Sequence, residues 1–176
     1  MPYELQNLNV LLVEDNFTMR TLLRDVLTAF GVKSIVSVSD GGRAWNELRH
    51  FSPDIAIVDW NMRPVSGLQF VRRVRTGRDS PNLFLPVIML TAYSERRRVM
   101  MGRDAGVTEF LVKPVTPKRL YDRIAAIIEH NRGFIRSQSY FGPDRRRVDK
   151  GVIGQDRRNQ SSLTVVDFER FRAGSA

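Results

Sequence analysis

Three carboxylates, one hydroxyl and one amine stand out in this sequence because each closes or follows a short apolar run. Glu14 and Asp15 follow Asn9 to Val13 (NVLLV), and Asp59 ends the run Ile55 to Val58, which lies between Pro53 and Pro64. Thr91 follows Pro86 to Leu90 (PVIML), and Lys113 follows Glu109 to Val112 (EFLV). Runs of this kind suit strands covered on both faces. A polar group at the C-terminal end of such a strand opens into the crevice where open α/β sheets bind ligands. Gathered at one edge, the set has a chemical purpose. Magnesium takes a few hard oxygen ligands, retains waters and holds phosphate oxygens. Glu14, Asp15 and Asp59 offer carboxylates for it, and Asn61 offers a backbone carbonyl. A carboxylate also attacks phosphorus, giving an aspartyl phosphate, provided positive charge meets the equatorial oxygens. Lys113 and the Thr91 hydroxyl are placed to meet them.

Each part alone has a plainer explanation. An acidic pair after a strand commonly caps a helix, a threonine begins one, and a lysine before proline is a solvated turn residue. Four such accidents at one sheet edge are improbable, so the joint placement favours a site.

The elements needed to hold the set are readable in order. Phe17 to Phe30 has a helical apolar face of Met19, Leu22, Leu23, Val26, Leu27 and Phe30, with Gly31 as its stop. Ser34 to Val38 is a β-branched strand. Asp40 caps a helix to about Arg49 with Ala44, Trp45 and Leu48 inward. Gly67 to Arg75 is a third helix, burying Leu68, Phe70, Val71 and Val74. Ser94 caps a fourth, arginine-rich helix, and Thr116 caps a fifth that runs to about Asn131. Strict alternation of five strands and five helices predicts a doubly wound parallel α/β sheet of flavodoxin-like order 2-1-3-4-5.

Composition narrows the chemistry further. With 176 residues, 42% of them hydrophobic, the chain holds one buried core and a short appendage. The absence of cysteine removes disulfides, thiolate zinc sites and cysteine nucleophiles. His50 and His130 fall near the ends of helices two and five, where a positive charge suits the helix dipole, so neither is assigned catalysis. No basic leader precedes an apolar stretch and no run is long enough to span a bilayer, so the expected location is cytoplasmic.

At these residues the chain resembles the receiver domain of two-component response regulators. The family's acid pair matches Glu14-Asp15, its phosphoacceptor Asp59, its switch hydroxyl Thr91, and its lysine with following cis proline Lys113-Pro114. Arg20, Asp40-Gly41 and Gly67 are secondary matches. Asp59-Trp60-Asn61-Met62 is similar to stand-alone chemotaxis receivers. Two departures stand out: the proline usual after Met62 is displaced to Pro64, and the strand-five aromatic is Phe110 in place of tyrosine. The resemblance implies a histidine kinase or phosphotransfer protein as donor, Mg2+ as cofactor and an unidentified protein as output partner. It also implies a switch in which Thr91 moves toward the phosphoryl group and Phe110 turns inward. Asn61 and Tyr93 border the site. Such a protein takes part in its own phosphorylation but is not a turnover enzyme.

Residues 1–132 are thus read as a receiver and 133–176 as a basic, mostly irregular tail. The formal charge is +9, and the tail carries nine of the 28 basic residues against five of the 19 acidic ones. It repeats the pattern Gly-x-Asp-Arg-Arg at Gly142 to Arg146 and Gly154 to Arg158. Paired guanidiniums at Arg145, Arg146, Arg157 and Arg158 suit carboxylate or phosphate through forked hydrogen bonds, so the tail is expected to dock a partner. Nucleic-acid binding through this basic tail is the alternative reading.

Overall fold

The computed structural model describes residues 3–92, 96–129, 133–137 and 140–144, together with the backbone of 162–163. After a 3-10 turn at Leu5–Asn7, the chain alternates β1 (Asn9–Val13), α1 (Phe17–Ala29), β2 (Ser34–Val38), α2 (Gly41–Glu47), β3 (Ile55–Asp59), α3 (Gly67–Thr76), β4 (Val87–Thr91), α4 (Arg96–Ala105), β5 (Glu109–Val112) and α5 (Pro117–Glu129). The five strands form one parallel sheet ordered β2-β1-β3-β4-β5, the order expected from the alternation.

Side chains alternate across the sheet, and each face has its own core. Val10, Leu12, Ile55, Ile57, Ile88 and Leu90 pack against Leu23 and Leu27 of α1 and Leu120, Ile124 and Ile127 of α5. Leu11, Val13, Ala56, Val58, Val87 and Met89 pack against Ala44 and Trp45 of α2, Phe70, Val71 and Val74 of α3, and Ala105 of α4. Burying a side chain of this size contributes about 1.5–3 kcal/mol, so these two layers hold the strand ends in place.

Local signals start the helices where the sequence puts them. Asn16 Oδ1 accepts from the Met19 N–H at 2.9 Å, and Asp40 Oδ1 accepts from Gly42 and Arg43 at 2.8 and 3.1 Å. Ser66 and Gln69 form a reciprocal capping box at the start of α3. The Arg119 N–H donates to Thr116 Oγ1 at 3.4 Å.

Some expectations are corrected. Leu22 is 52% exposed and belongs outside the apolar face of α1. Helix two ends at Glu47, so His50 lies in the following turn, where its N–H donates to Glu47 O at 3.0 Å. Past α5 the described residues add a small antiparallel sheet that the sequence reading does not include: β6 (Phe134–Arg136) pairs with β7 (Phe141–Pro143) and with β8 (Ser162–Leu163). Phe134 and Phe141 close on Phe84 with ring centroids 5.1 and 5.4 Å away. Three clustered aromatic rings supply the burial that a periodicity search of the tail misses. Ser94, His130 and the tail arginines Arg145, Arg146, Arg157 and Arg158 lie outside the described residues.

Candidate active site at the C-terminal edge of the sheet

Register decides what meets what. Val13 pairs with Val58, Asp59 with Leu90, and Thr91 with Val112, so β1, β3, β4 and β5 end at nearly the same level. The residues after those ends therefore share one crevice. Backbone bonds beyond the ladder fix each of them: Glu14 N–H to Val38 O at 3.1 Å, Trp60 N–H to Leu90 O at 2.9 Å, and Lys113 N–H to Thr91 O at 2.8 Å. Arg20 reaches back from α1 and donates through Nη1 to Glu14 O at 2.7 Å, which clamps the loop carrying the acid pair.

Asp59 is 5% exposed and Glu14 1%, while Asp15 is exposed. One carboxylate oxygen from each of the three lies within 4.8 Å of the others. Lys113 Nζ stands between the two buried members, 2.8 Å from Asp59 Oδ1 and 2.9 Å from Glu14 Oε2. The other Asp59 oxygen, Oδ2, accepts from the Asn61 N–H at 3.0 Å, and Glu14 Oε1 accepts from the Asn16 N–H at 3.3 Å. Thr91 is buried beside them at 2% exposure. Lys113–Pro114 is cis, as is Arg63–Pro64 in the loop after β3.

The charges are in tension. Burial raises the Glu14 pKa above its ordinary value; the Lys113 hydrogen bond opposes this and the neighbouring Asp59 charge adds to it. For Lys113 burial works against the charged form, yet the hydrogen bonds and charges of Asp59 and Glu14 outweigh it and hold the ammonium pKa above the usual lysine value. An all-oxygen, net-negative cluster of this kind fits a hard divalent cation, which needs close carboxylates and no nitrogen or sulfur.

Comparison with known proteins assigns the family. The sequence profile described as "Response regulator receiver domain" matches residues 10–125. The chain belongs to the response regulator receiver family. Among relatives, it is 31% identical over 125 residues to the chemotaxis protein CheY1 of Helicobacter pylori, an alignment covering 70% of this chain and 99% of that one. It is 32% identical over 126 residues to the chemotaxis protein CheY of Pseudomonas aeruginosa, covering 72% and 100%. Its fold is similar to the crystal structure of Vibrio cholerae CheY4, with a TM-score of 0.64, 29% identity, and coverage of 68% of this chain and 98% of that one. It is also similar, at TM-score 0.59, 26% identity and 68% and 94% coverage, to the receiver domain of sensor histidine kinase PA1611 from Pseudomonas aeruginosa, whose structure has a magnesium ion coordinated in the active-site cleft. CheY-like receivers are signalling proteins.

Within this receiver the structure brings together Glu14, Asp15, Asp59, Asn61, Thr91 and Lys113, the set read from the sequence. Phe110 is half-buried on β5, its ring against Gly102 of α4. Tyr93, expected at the border, lies outside the described residues. Two contributors escaped sequence reasoning. Asn16 both caps α1 and supports Glu14, and an asparagine directly after an acid pair and before a helical stretch is the cap signal that could have found it. Gly102 sits inside α4, where glycine is costly; an interior helix glycine signals a close neighbour, here Phe110.

Proposed function

We propose that this chain is a single-domain response regulator that takes a phosphoryl group onto Asp59 from a histidine kinase or phosphotransfer protein, and signals by protein contact. The observation that supports this most directly is the Lys113 ammonium held between Asp59 and Glu14 at the sheet edge. In the transfer, one Asp59 carboxylate oxygen forms a bond to phosphorus while the bond from phosphorus to the donor nitrogen breaks, and the donor imidazole leaves with the electron pair. Lys113 and the Thr91 hydroxyl sit where they can pair with phosphoryl oxygens. The Asn61 N–H, already donating to Asp59 Oδ2, fixes the nucleophile's orientation.

Glu14, Asp15 and Asp59, with the Asn61 carbonyl, are the residues that would hold Mg2+. Bound there, the ion supplies the positive charge that a transferring phosphoryl group needs. The chain works on itself and is not a turnover enzyme.

Output is carried by the face of α4, β5 and α5. Thr91 and Phe110 lie on adjacent, hydrogen-bonded strands, so a shift of the hydroxyl toward the phosphoryl group opens room for the Phe110 ring. Arg96, Arg97, Lys118 and Arg119 are exposed on that side, together with Met100 at 51%, which suits an acidic partner with an apolar anchor. The test is incubation with acetyl phosphate and Mg2+, followed by intact mass and peptide mapping. One phosphoryl group on Asp59, dependent on Mg2+, is the expected result; label on another residue overturns the reading.

A further inference from the structure

A second group of charges gathers at the opposite edge of the sheet. α3 begins beside Asp59 and runs back along the sheet, so its last turn, with Arg75, lies far from the acid cluster. Arg75 is 3% exposed, and among the described residues no carboxylate pairs with it. Its Nε donates to Gly106 O at 3.1 Å, Nη1 to Leu83 O at 2.9 Å and Nη2 to Leu85 O at 2.6 Å, and its guanidinium lies 5.1 Å from the centre of the Phe134 ring. Carbonyl dipoles and a ring face orient this cation without neutralising it. Burial pushes its pKa down to about 9, with Tyr140 opposing, so at neutral pH the charge remains and has no counter-ion among the described residues.

Beside Arg75 a cleft of about 490 Å³ opens between the α3–β4 connection and the β6–β7 hairpin. Its lining includes Arg75, Arg78 and Arg136, with Thr76, Ser80 and Ser137, and no carboxylate among the described residues. Asp79, next to Arg78, is directed to Arg73 at 3.6 Å instead. The Arg136 guanidinium lies 5.0 Å from the centre of the Phe141 ring, a cation–π contact that uses none of its N–H donors. Thr76 Oγ1 and Ser80 Oγ already donate to Arg72 O and Val74 O at 2.8 and 2.7 Å, so the charged donors of the cleft are its arginines.

We propose that this cleft binds a polyphosphate-bearing small molecule, with Arg78 and Arg136 gripping its phosphates next to the buried Arg75. Guanidinium forks match phosphate oxygens in bidentate pairs, and a volume of this size falls in the range of small-molecule sites. Three cations around one cleft suit more than one phosphate. Because four of the ten lining residues, Arg136, Ser137, Tyr140 and Phe141, come from β6, β7 and their turn, the site exists only when the segment after α5 is folded back, which ties ligand binding to the position of that segment.

The test is titration of the full chain with inorganic pyrophosphate in the absence of Mg2+, followed by calorimetry and by backbone amide NMR. The expected result is saturable binding with shifts centred on Thr76, Gly77, Arg78 and Ser137. Arg78→Ala and Arg136→Ala should each weaken it at least about tenfold, since both residues are exposed and their removal leaves the fold intact. A variant with Arg145, Arg146, Arg157 and Arg158 all changed to Ala should bind as the parent does, because Arg75, Arg78 and Arg136 supply the cations of the described lining. No saturable binding, shifts centred elsewhere, or loss in the tail variant with the cleft variants unaffected would overturn the proposal.

Discussion

Lys113 Nζ lies 2.8 Å from Asp59 Oδ1, although 53 residues and two helices separate them along the chain. The contact follows from strand order alone: β3 and β5 flank β4, and both end at its C-terminal edge. The ammonium thus occupies, in the resting protein, the neighbourhood that a phosphoryl group on Asp59 would enter. It offsets part of the acid cluster's charge until then.

Asp59→Asn is expected to abolish phosphoryl uptake. The amide keeps the shape and the bond from the Asn61 N–H but is not a competent nucleophile. Intact mass after acetyl phosphate and Mg2+ reads this directly, and an unchanged mass gain in the variant sinks the assignment.

Lys113→Met should cost both chemistry and stability. It leaves Glu14 and Asp59 buried side by side without a cation. Breaking a buried pair typically costs 3–5 kcal/mol; with the Lys113 side chain 22% exposed, about 2 kcal/mol is expected here. Urea unfolding without Mg2+ measures it, and millimolar Mg2+ should recover part of the loss. An unchanged midpoint would show that the bridge contributes nothing to folding.

Glu14 gives a pH dependence of known sign. Its folded pKa lies above the ordinary 4.5, so between the two values the native state binds more protons than the unfolded chain. Stability therefore falls as pH rises from 4.5 through the raised folded value. Glu14→Gln removes that slope, and without Mg2+ its advantage in unfolding midpoint over the parent should be larger at pH 7 than at pH 4. A constant difference at the two pH values refutes the electrostatic account.

Most of this site was legible because its residues sit at strand ends, where a change from apolar to charged is visible in the sequence itself. Asp59, Lys113 and the Glu14-Asp15 pair each follow an unbroken apolar run, and parallel topology does the rest. Arg75 was not read as inward, though it continues the buried stripe of Leu68 and Val71 at helical spacing. A charged residue at a helix end carries no inward signal of its own, and nothing local reveals the carbonyls of Leu83, Leu85 and Gly106 that receive it. The β6–β7 hairpin was missed for a related reason: its three-residue strands are too short for a period, and Phe134 and Phe141 gain meaning only from Phe84, fifty residues earlier.

Gly67 is a packing constraint placed directly behind Asp59. A Cβ there would lie 2.1 Å from Asp59 O and 2.9 Å from Val58 Cγ1, so the start of α3 or the end of β3 must move. Gly67→Ala should destabilise by about 1–3 kcal/mol, the usual range for overpacking, and should slow uptake onto Asp59. Thermal unfolding and the mass assay test the two together; a variant as stable as the parent would show that the loop has slack.

Gly102 tests where the Phe110 ring rests and does so with a change of sign. In an ordinary helix interior, Gly→Ala stabilises by about 1 kcal/mol. At Gly102 of α4 a Cβ would lie 2.6 Å from Phe110 Cε1 and 2.7 Å from Cζ, with Trp60 Cζ3 at 3.1 Å. The ring must leave or α4 must shift, so Gly102→Ala should destabilise the parent protein. In a Phe110→Ala background the two shortest contacts are gone and only Trp60 must give slightly, so the same change should cost clearly less or become neutral. Unfolding midpoints of the two single variants and the double variant isolate that coupling. Were Gly102→Ala to act equally in both backgrounds, the Phe110 ring would not be lodged against α4, and the switch described for β5 would lose its resting position.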